Sequence, residues 1–377
     1  MTDLIDPTGF RSLFTEDVPL LDVRAPVEFQ QGAFPTACNL PLLTDAERER
    51  IGRAYKQAGR DAALALGHEL VSGPVREQRL QQWLDFARQH PQGVLYCFRG
   101  GQRSRITQAW LREAGVAIPR VGGGYKALRR YLIETLAQAS NQHEFLIVGG
   151  KTGSGKTRLL NALPQSVDLE GLANHRGSAF GPRVQQQPGQ IDFENRLAIA
   201  FLKLDLPAGK RVFLEDESRA IGSLSIPQQL HERMRVAPLA VIEEPRERRA
   251  QVILSDYIQV NYREFQQHHP EHHQPLFEAY LLQSLERIRR RLGDVLYREI
   301  AADMQAALAA QQQGDDLAAH RVWIGKLLQH YYDPMYDYQL GKKLERVVFR
   351  GDSGEFLQWA GRLTGHSRAA DPHHARD

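Results

Sequence analysis

The stretch that decides the fold is FLIVGGKTGSGKT, residues 145–157. Its first part, FLIVG at 145–149, is a continuous apolar run and predicts a buried β-strand. The second part, GKTGSGKT at 150–157, has the spacing Gly-x4-Gly-Lys-Thr, and the residues from Lys156 to Leu163 have helical character. A buried strand, a glycine-rich loop and a helix in this order predict an α/β domain whose loop binds phosphate.

Strand, loop and helix together are the full context that the Walker A motif requires, and we call residues 150–157 the P-loop. Backbone N–H groups of residues 152–156 would surround a phosphate, Lys156 would add positive charge, and the Thr157 hydroxyl suits Mg²⁺. A glycine-rich turn that binds nothing is the competing interpretation. The predicted ligand-binding residues are Gly150, Gly153, Ser154, Gly155, Lys156, Thr157 and Asp216.

A second predicted strand, residues 210–214, supplies a carboxylate for the metal. It ends in the acidic residues 215–217, where P-loop proteins place the side chain that holds Mg²⁺. Either Glu215 or Asp216 fits, and we predict Asp216 together with Thr157 as the Mg²⁺ ligands; a solvated strand end is the alternative. A third strand, residues 239–242, would complete a parallel sheet.

An upstream module is centred on one cysteine, in YCFRGGQRS at 96–104. Predicted strands at 19–24 and 93–98 alternate with predicted helices at 76–90 and 102–113, which indicates a small parallel α/β domain. In such a domain Cys97 lies where a strand leads into a helix N-terminus, a position that favours a thiolate. Arg99 and Arg103 would add positive charge. A buried structural cysteine is the alternative for Cys97, and a packed thiol is the favoured interpretation of Cys38.

This module resembles a rhodanese domain. The similarity rests on LDVR at 21–24 followed by Glu28, on ACNLP at 37–41, on the Cys97 loop (residues 97–103) and on VGGGY at 121–125. It implies that Cys97 carries sulfur or selenium. The pattern from Cys97 to Arg103 is Cys-x5-Arg, one residue longer than usual in sulfurtransferases and shared with cysteine phosphatases, so phosphatase chemistry stays open. Residues 47–70 have no place in a minimal rhodanese and are predicted to be an insertion.

The remaining third of the chain is predicted to be helical, with helices through 280–292 and 317–331. The tyrosine-rich stretch 331–338, followed by basic residues to 346, would stack unpaired bases or pack into a helical core. Arg289–Arg291 would contact phosphates or form a solvated face. The polar segment 174–178 is either an anion or RNA contact or an ordinary surface loop. A zinc site at HHPEHH, residues 268–273, is disfavoured by its central proline.

Composition excludes several classes of protein. At 377 residues the chain should hold about two domains. The net charge of +3 does not by itself indicate a nucleic-acid binder. Two cysteines exclude a disulfide framework. The N-terminus lacks the features of a secretory signal and no apolar run reaches about 18 residues, so we expect a cytoplasmic protein with no membrane span.

The two modules in this order resemble the tRNA 2-selenouridine synthase family, over nearly the whole chain. The resemblance implies an enzyme that acts on 2-thiouridine at the wobble position, in the anticodon arm of tRNA. It implies geranyl transfer to the sulfur from geranyl diphosphate, followed by selenation from selenophosphate through a Cys97 selenosulfide, with Arg99 and Arg103 as further catalytic residues. Mg²⁺ is the expected cofactor, and we expect a monomer.

Two other functions fit the same residues. One is a cysteine phosphatase or sulfurtransferase with a regulatory nucleotide-binding domain, and the other is a non-catalytic RNA-binding protein. For any of them we predict a rhodanese-like parallel α/β domain at 1–139, with residues 138–144 as a linker. A P-loop NTPase-like α/β domain at 140–270, a helical C-terminal extension at 271–366 and a disordered tail at 367–377 would follow.

Overall fold

The computed structural model describes residues 3–314 and 317–365; the predicted disordered tail lies outside the described residues. The chain divides into two compact units. The first contains the residues up to Ala139 together with Gly189–Asp205, and the second contains Ser140–Pro188 and the residues from Leu206 onward. Both are α/β units, as predicted.

The strands are short and mostly buried. In chain order they are β1 (Leu4–Ile5), β2 (Leu20–Asp22), β3 (Ala37–Asn39), β4 (Val94–Tyr96), β5 (Arg120–Val121), β6 (Glu144–Gly150), β7 (Ser166–Val167), β8 (Arg211–Glu215), β9 (Ala220–Ile221), β10 (Leu224–Ser225), β11 (Leu239–Ile242) and β12 (Val347–Gly351).

The α-helices connect and cover these strands. They are α1 (Phe10–Thr15), α2 (Pro26–Gln30), α3 (Asp45–Leu70), α4 (Gly73–Gln89), α5 (Gln102–Glu113), α6 (Gly124–Gln142), α7 (Lys156–Asn161), α8 (Leu169–Ala173), α9 (Gln190–Leu204), α10 (Gln228–Val236), α11 (Arg246–Ile253), α12 (Val260–His268), α13 (His273–Glu286), α14 (Arg289–Leu292), α15 (Asp294–Gly314), α16 (His320–Leu327), α17 (Asp333–Gly341) and α18 (Ser353–Thr364). Two π-helical segments, Leu254–Gln259 and Leu328–Tyr332, follow α11 and α16. None of the helices in the described ranges is long and apolar enough to cross a membrane.

The first unit has a five-stranded parallel sheet in the order β1-β5-β4-β2-β3. Its central strands β2 and β4 are completely buried, as the apolar runs at 19–24 and 93–98 predicted. The chain leaves β2 toward β3 on one side and returns to β4 on the other. The order of the strands therefore reverses between β2 and β4, and ligands of open α/β sheets bind at the carboxyl ends of the strands beside such a point.

Helix α9 belongs to the first unit although it lies within the range predicted for the second domain. The Asp192 carboxylate accepts a hydrogen bond from the Ala33 N–H at 2.7 Å, and Arg129 donates to Asn195 at 2.9 Å. These partners are more than sixty residues apart in sequence, so no local pattern indicates the pairing. The predicted linker at 138–144 is also different, because α6 continues to Gln142 and β6 begins at Glu144.

The predicted insertion is helical. Residues 45–70 form α3, which is kinked at Gly59 with φ 82°. The side chains of Leu42, Leu43 and Val71 pack with the apolar faces of α4 and α5 around Trp83. The insertion thus begins and ends in the core of the first unit.

The second unit has a five-stranded parallel sheet in the order β12-β11-β6-β8-β7. From the central strand β6 the chain moves to β7 and β8 on one side, then crosses to β11 and β12 on the other. The strand order reverses at β6, whose carboxyl end leads directly into the P-loop. Topology therefore places the P-loop where this class of sheet binds ligands.

The predicted helical extension is part of the second unit. Its helices share one apolar cluster with the helices after β11, built around Phe277, Trp323 and Leu328. The chain then returns to the sheet as β12, which pairs with β11 in parallel. The C-terminal third therefore completes the sheet and covers it.

Candidate functional site

The curvature of the P-loop is imposed by close contacts at its glycines. Gly150, Gly153 and Gly155 have φ angles of 155°, 83° and 76°, which favour glycine. A Cβ atom on Gly153 would lie 2.6 Å from the carbonyl oxygen of Arg249, and one on Gly150 would lie 2.6 Å from the Ser154 Oγ. Any side chain at Gly150 or Gly153 would force the loop outward.

The P-loop has unpaired donors. The Ser154 N–H donates to the Lys151 carbonyl at 3.0 Å, but the other N–H groups between residues 152 and 156 have no acceptor in the described chain. The buried Ser154 hydroxyl also has no partner among the described residues. The Lys156 Nζ donates to the Gly150 carbonyl at 2.9 Å. Buried donors without acceptors beside an ammonium group are the requirements of an anion site.

Glu215, and not Asp216, contacts the Thr157 hydroxyl of the P-loop. The Thr157 hydroxyl donates to Glu215 Oε1 at 3.0 Å, and Glu170 Oε2 lies 3.3 Å from the same hydroxyl. Asp216 instead forms an ion pair with Lys343, whose Nζ lies 2.6 and 2.9 Å from the two carboxylate oxygens. Side chains alternate between the two faces along a strand. The adjacent residues Glu215 and Asp216 therefore point in different directions, and only Glu215 reaches Thr157.

Carboxylates are crowded around Thr157. Burial, reinforced by the charges of Glu170 and Asp168, raises the pKa of Glu215 to about 8. Burial raises the pKa of Glu170 as well, against the opposing charge of Lys156, and burial with the neighbouring carboxylates raises the pKa of Glu217. Packing several carboxylates together is unfavourable unless protons or a cation neutralise them.

These oxygen donors fit Mg²⁺ when a phosphate ligand contributes the rest. Within residues 3–314 and 317–365, no group of three or more His, Cys, Asp or Glu side chains is arranged to hold a metal ion by itself. Mg²⁺ is commonly bound through one or two carboxylates plus substrate phosphates and water. Thr157 and Glu215 meet that requirement, and Glu215 replaces Asp216 as our candidate ligand.

The P-loop opens into a cavity of about 1240 Å³, which we call the P-loop cavity. Gly150, Thr152 and Lys156 form one part of its wall, and residues 331–346 form another. A smaller cavity of about 320 Å³ lies along Lys156, Thr157 and Glu170. The P-loop cavity exceeds the roughly 300–1,000 Å³ of ordinary small-molecule sites, so a diphosphate alone does not account for it.

The polar segment 174–178 lines both of these cavities through Gly177 and Ser178. Gly177 has φ 60°, and a Cβ on it would lie 2.6 Å from the carboxylate of Glu170. Arg176 donates to Asn261 at 2.7 Å. The segment therefore forms part of the wall of both cavities, and its role as an anion or RNA contact stays a prediction.

The Cys97 loop of the first unit also joins a strand to a helix and also has unpaired N–H groups. It follows β4 and leads into α5, and no backbone N–H from Phe98 to Arg103 has an acceptor among the described residues. The loop packs against the glycine run 122–124, where a Cβ on Gly124 would lie 2.1 Å from the Cys97 carbonyl oxygen. This contact explains the last glycine of the stretch VGGGY. The Cys97 thiol donates to the Ser104 hydroxyl at 3.3 Å, and the residue Cys97 is 3% exposed.

The two arginines of the Cys97 loop differ in their surroundings. Arg103 forms two hydrogen bonds to the buried Glu28 carboxylate, at 2.5 and 3.0 Å. Burial alone would raise the pKa of Glu28, but the hydrogen bonds and charge of Arg103 lower it below its ordinary value. Arg99 is exposed, and the structure records no carboxylate partner for it in the described ranges. Arg103 is thus held in place, whereas Arg99 is free to meet a ligand.

Comparison with known proteins identifies the family. Residues 143–366 match the family model described as the tRNA 2-selenouridine synthase AAA domain. The chain is 50% identical to the tRNA 2-selenouridine synthase of Pseudomonas fluorescens Pf-5, over 94% of this chain and 98% of the relative. It is 52% identical to that of Bordetella petrii, over 94% of this chain and 95% of the relative. The chain belongs to the tRNA 2-selenouridine synthase family.

A solved structure described as the N-terminal domain of a putative ATP/GTP binding protein from Clostridium difficile 630 is also similar. It is 30% identical, covering 34% of this chain and 98% of that chain, with a TM-score of 0.32. A TM-score this low supports no argument about the fold. Family membership therefore rests on the synthase relatives.

In this member of the synthase family Cys38, the cysteine outside the Cys97 loop, is not buried. Cys38 is exposed, although its sequence surroundings favoured a buried thiol. It lies on β3, the edge strand of the first sheet, and its side chain points away from the core. Local desolvation raises the pKa of its thiol, which lowers its thiolate fraction at neutral pH. Exposure alone therefore does not make Cys38 the better nucleophile.

Sequence reasoning missed the residues that brace the P-loop. Arg249 is buried, pairs with Asp333 through two 2.8 Å hydrogen bonds, and donates to the Thr152 carbonyl at 3.2 Å. Lys151 pairs with Asp337 at 2.9 Å. Arg249 lies in a run of charges that local pattern assigns to a solvated face, and its partner is 84 residues away. No local signal indicates the pair.

Proposed function

We propose that the chain converts 2-thiouridine to 2-selenouridine at the wobble position of tRNA, in a geranylation step and a selenation step. Family membership supports tRNA and selenium as the chemistry. One observation carries the two-step division: each sheet presents unpaired N–H groups at its switch point, beside Lys156 in one unit and Cys97 in the other. Two anion sites fit two anionic co-substrates, geranyl diphosphate and selenophosphate.

In the first step the P-loop would bind the diphosphate of geranyl diphosphate. The sulfur of 2-thiouridine attacks C1 of the geranyl group, the C–O bond breaks, and diphosphate leaves with the electron pair while N3 of the base loses its proton. Lys156 and the unpaired N–H groups would stabilise the charge that develops on the leaving group. Mg²⁺ at Thr157 and Glu215 would add further charge stabilisation when bound.

Alkylation prepares the base for the second step. Selenium of selenophosphate attacks C2 and the C2–S bond breaks. Sulfur leaves with the geranyl group as geranyl thiolate, which is then protonated. The base now carries selenium bonded to phosphorus. The N–H groups of the Cys97 loop, with the exposed Arg99, would hold the phosphate part of this adduct.

Electron balance restricts the covalent role of Cys97. A selenosulfide formed directly from selenophosphate would leave phosphorus with an extra electron pair, as phosphite. Attack of the Cys97 thiolate on phosphorus is balanced without reduction, because the Se–P bond breaks toward selenium and gives 2-selenouridine and a cysteinyl phosphate. Water then releases inorganic phosphate and restores the thiol.

The loop itself favours attack on phosphorus. The Cys-x5-Arg spacing is that of cysteine phosphatases, and here the residue after Arg103 is Ser104, whose hydroxyl lies 3.3 Å from the Cys97 Sγ. The Ser104 hydroxyl donates to the Gly101 carbonyl at 3.0 Å, and turned from that carbonyl toward the sulfur it would stabilise the thiolate as it forms and leaves. We therefore propose phosphoryl transfer in place of the selenosulfide that the resemblance implies.

The fate of phosphorus tests this role. Full-length protein, geranylated tRNA and ³¹P-observed selenophosphate should yield phosphate in equal amount to 2-selenouridine, with no phosphite. Phosphite in that ratio would establish the selenosulfide route instead. Steady hydrolysis of an aryl phosphate without any selenation of tRNA would support the alternative function, a cysteine phosphatase with a regulatory nucleotide-binding domain.

A further inference from the structure

We propose that the P-loop cavity is also the RNA-binding site, where the wobble nucleotide is splayed out and its flanking phosphates meet a set of unpaired cations. This inference rests on the proposed function for the identity of the base. It adds the location of the RNA, the residues that bind it and the expectation that RNA and diphosphate share one cavity.

Positive charge without a carboxylate partner is concentrated in the wall of this cavity. Six of the cations in its wall have no carboxylate within 4.0 Å among the described residues: Arg219, Arg235, Arg287, Arg290, Arg291 and Lys342. All six side chains are on exposed residues. Elsewhere in the described ranges many Arg and Lys side chains pair with acidic ones, as Arg11 does with Asp205 and Lys203 with Asp17. A cavity with this charge fits a polyanion.

Other cations of the same wall already have structural partners. Lys343 pairs with Asp216, and Arg346 donates to the carbonyls of Ala237 and Met234 at 2.8 and 2.9 Å. These two side chains hold residues 342–346 against the sheet. The six cations without a carboxylate partner are therefore a separate set. Among the described residues their internal contacts are with uncharged groups only: Arg287 donates to the Ala179 carbonyl at 3.2 Å, and Arg291 donates to the Tyr331 hydroxyl at 3.3 Å.

The titration of a neighbouring histidine is consistent with this charge. Burial lowers the pKa of His231, and the positive charges of Arg235, Arg219 and Lys343 lower it further, against the opposing charge of Glu232. Arg219 and Arg235 of the set therefore lie close enough to His231 to disfavour its protonated form. A bound phosphate would relieve that repulsion.

Aromatic side chains of the cavity suit an unstacked base. Tyr331 and Tyr332 are largely buried in the helical core, as one of the two predicted interpretations had it, but both still border the cavity. Tyr336 also lines it, and its buried hydroxyl has no hydrogen-bond partner in the described structure. Sequence-specific proteins read RNA mostly in single-stranded loops, whose bases stack on such rings. A sulfur inside a stacked anticodon loop must be exposed in this way before it can react.

The arginine run 289–291 contains its own control. Arg290 and Arg291 line the cavity. Arg289 does not, and it pairs with Asp294 at 2.9 Å and with Glu286 at 3.5 Å. The three side chains have the same charge and adjacent positions. If the cavity binds RNA, the loss of Arg290 and Arg291 should weaken RNA binding, whereas the loss of Arg289 should not.

The experiment measures RNA affinity in the absence of any diphosphate. Fluorescence anisotropy with a labelled anticodon stem-loop RNA should show that Arg290→Gln with Arg291→Gln weakens binding by about tenfold or more. The slope of log affinity against log salt should fall by about 1.4, for two single-strand phosphate contacts. Arg289→Gln should leave affinity and slope unchanged. Equal effects of the two variants, or no effect of either, would place the RNA elsewhere.

Two further measurements keep the result interpretable. A blunt RNA duplex of equal charge should bind more weakly than the stem-loop, and equal binding would overturn the role of the exposed base. Tyr336→Phe, which removes only the unpartnered hydroxyl, should weaken the stem-loop complex and leave duplex binding unchanged. If the arginine variants lose RNA binding while geranyl diphosphate fails to bind the wild-type protein, the RNA site stands and the proposed geranylation falls.

Discussion

Single residues decide the chemistry of the two loops, and Lys156 tests the first of them. Its ammonium group is fixed on the Gly150 carbonyl, whereas Lys151 pairs with Asp337 at a more exposed position. Loss of a charge-assisted phosphate contact should cost about 2 kcal/mol or more. Calorimetry with geranyl diphosphate should therefore show a loss of roughly 30-fold or more in affinity for Lys156→Ala.

The matched control for that prediction is Lys151→Ala, which removes a neighbouring ammonium group from the same loop. Lys151→Ala should weaken the binding of geranyl diphosphate much less than Lys156→Ala does, because Lys151 is already paired with the carboxylate of Asp337. If both variants lose affinity equally, positive charge near the loop matters but the specific position of Lys156 does not.

Cys97 tests the second loop. Cys97→Ser should allow geranylation and the addition of selenium to C2 but block release of phosphate, because serine lacks an easily formed anion at this position. Mass spectrometry of nucleosides from treated tRNA should then show an adduct with selenium bonded to phosphate and little 2-selenouridine. Cys38→Ser should form product at the wild-type rate. Normal 2-selenouridine formation by Cys97→Ser would exclude a covalent role.

At the scale of elements, α2 and α5 are joined by the pair of Glu28 and Arg103. Burial opposes the charged form of Glu28, but Arg103 and the neighbouring donors outweigh it and hold its pKa below the ordinary 4.5. A depressed carboxylate pKa stabilises the fold above the unfolded pKa and loses that stabilisation as the pH falls through the folded pKa. The melting temperature of wild type should thus exceed that of Glu28→Gln near neutral pH, with the difference shrinking below about pH 4.5.

The partner variant checks the cause. Arg103→Met removes the main favourable contact of Glu28. The difference in melting temperature between wild type and Arg103→Met should therefore shrink in acid, as it does for Glu28→Gln. Thermal unfolding followed by circular dichroism across the acid range measures all three proteins. A difference between wild type and Glu28→Gln that stays constant into acid would show that Arg103 does not hold the carboxylate charged.

Elements with a strong local pattern were predictable. The prediction for α5, residues 102–113, is confirmed to the residue. The strands β2, β4 and β11 lie within the predicted apolar runs, because completely buried parallel strands are continuously apolar. The strands β6 and β8 overlap their predicted runs and differ from them by one residue at the ends. The predicted linker was wrong because a polar segment is equally compatible with the solvated end of a helix such as α6. The assignment of α9 to the first unit depends on Asp192 and Asn195, whose partners are distant in sequence.

The candidate site shows the same division. The P-loop and the Cys97 loop are local motifs with glycines at fixed spacing, so their positions were predictable. The choice between Glu215 and Asp216 was not, because it depends on which face of β8 the P-loop approaches. Cys38 was misjudged because sequence surroundings do not show whether β3 is an edge strand. The unpaired cations of the P-loop cavity come from separate parts of the chain and meet only in the folded unit.

For the whole molecule, the sharpest question is which ligand the full chain recognises. A ligand that binds only the native state stabilises it by mass action, by about 2.7 kcal/mol at 100 times its dissociation constant. Geranyl diphosphate with Mg²⁺ should therefore raise the melting temperature of wild type, and Lys156→Ala should abolish the rise. Inorganic diphosphate should stabilise less, since it lacks an apolar chain to bury against Met234, Ile288 and Met335 in the P-loop cavity. Stabilisation by ATP without any by geranyl diphosphate would instead favour a nucleotide-binding regulatory unit, and with it the phosphatase alternative.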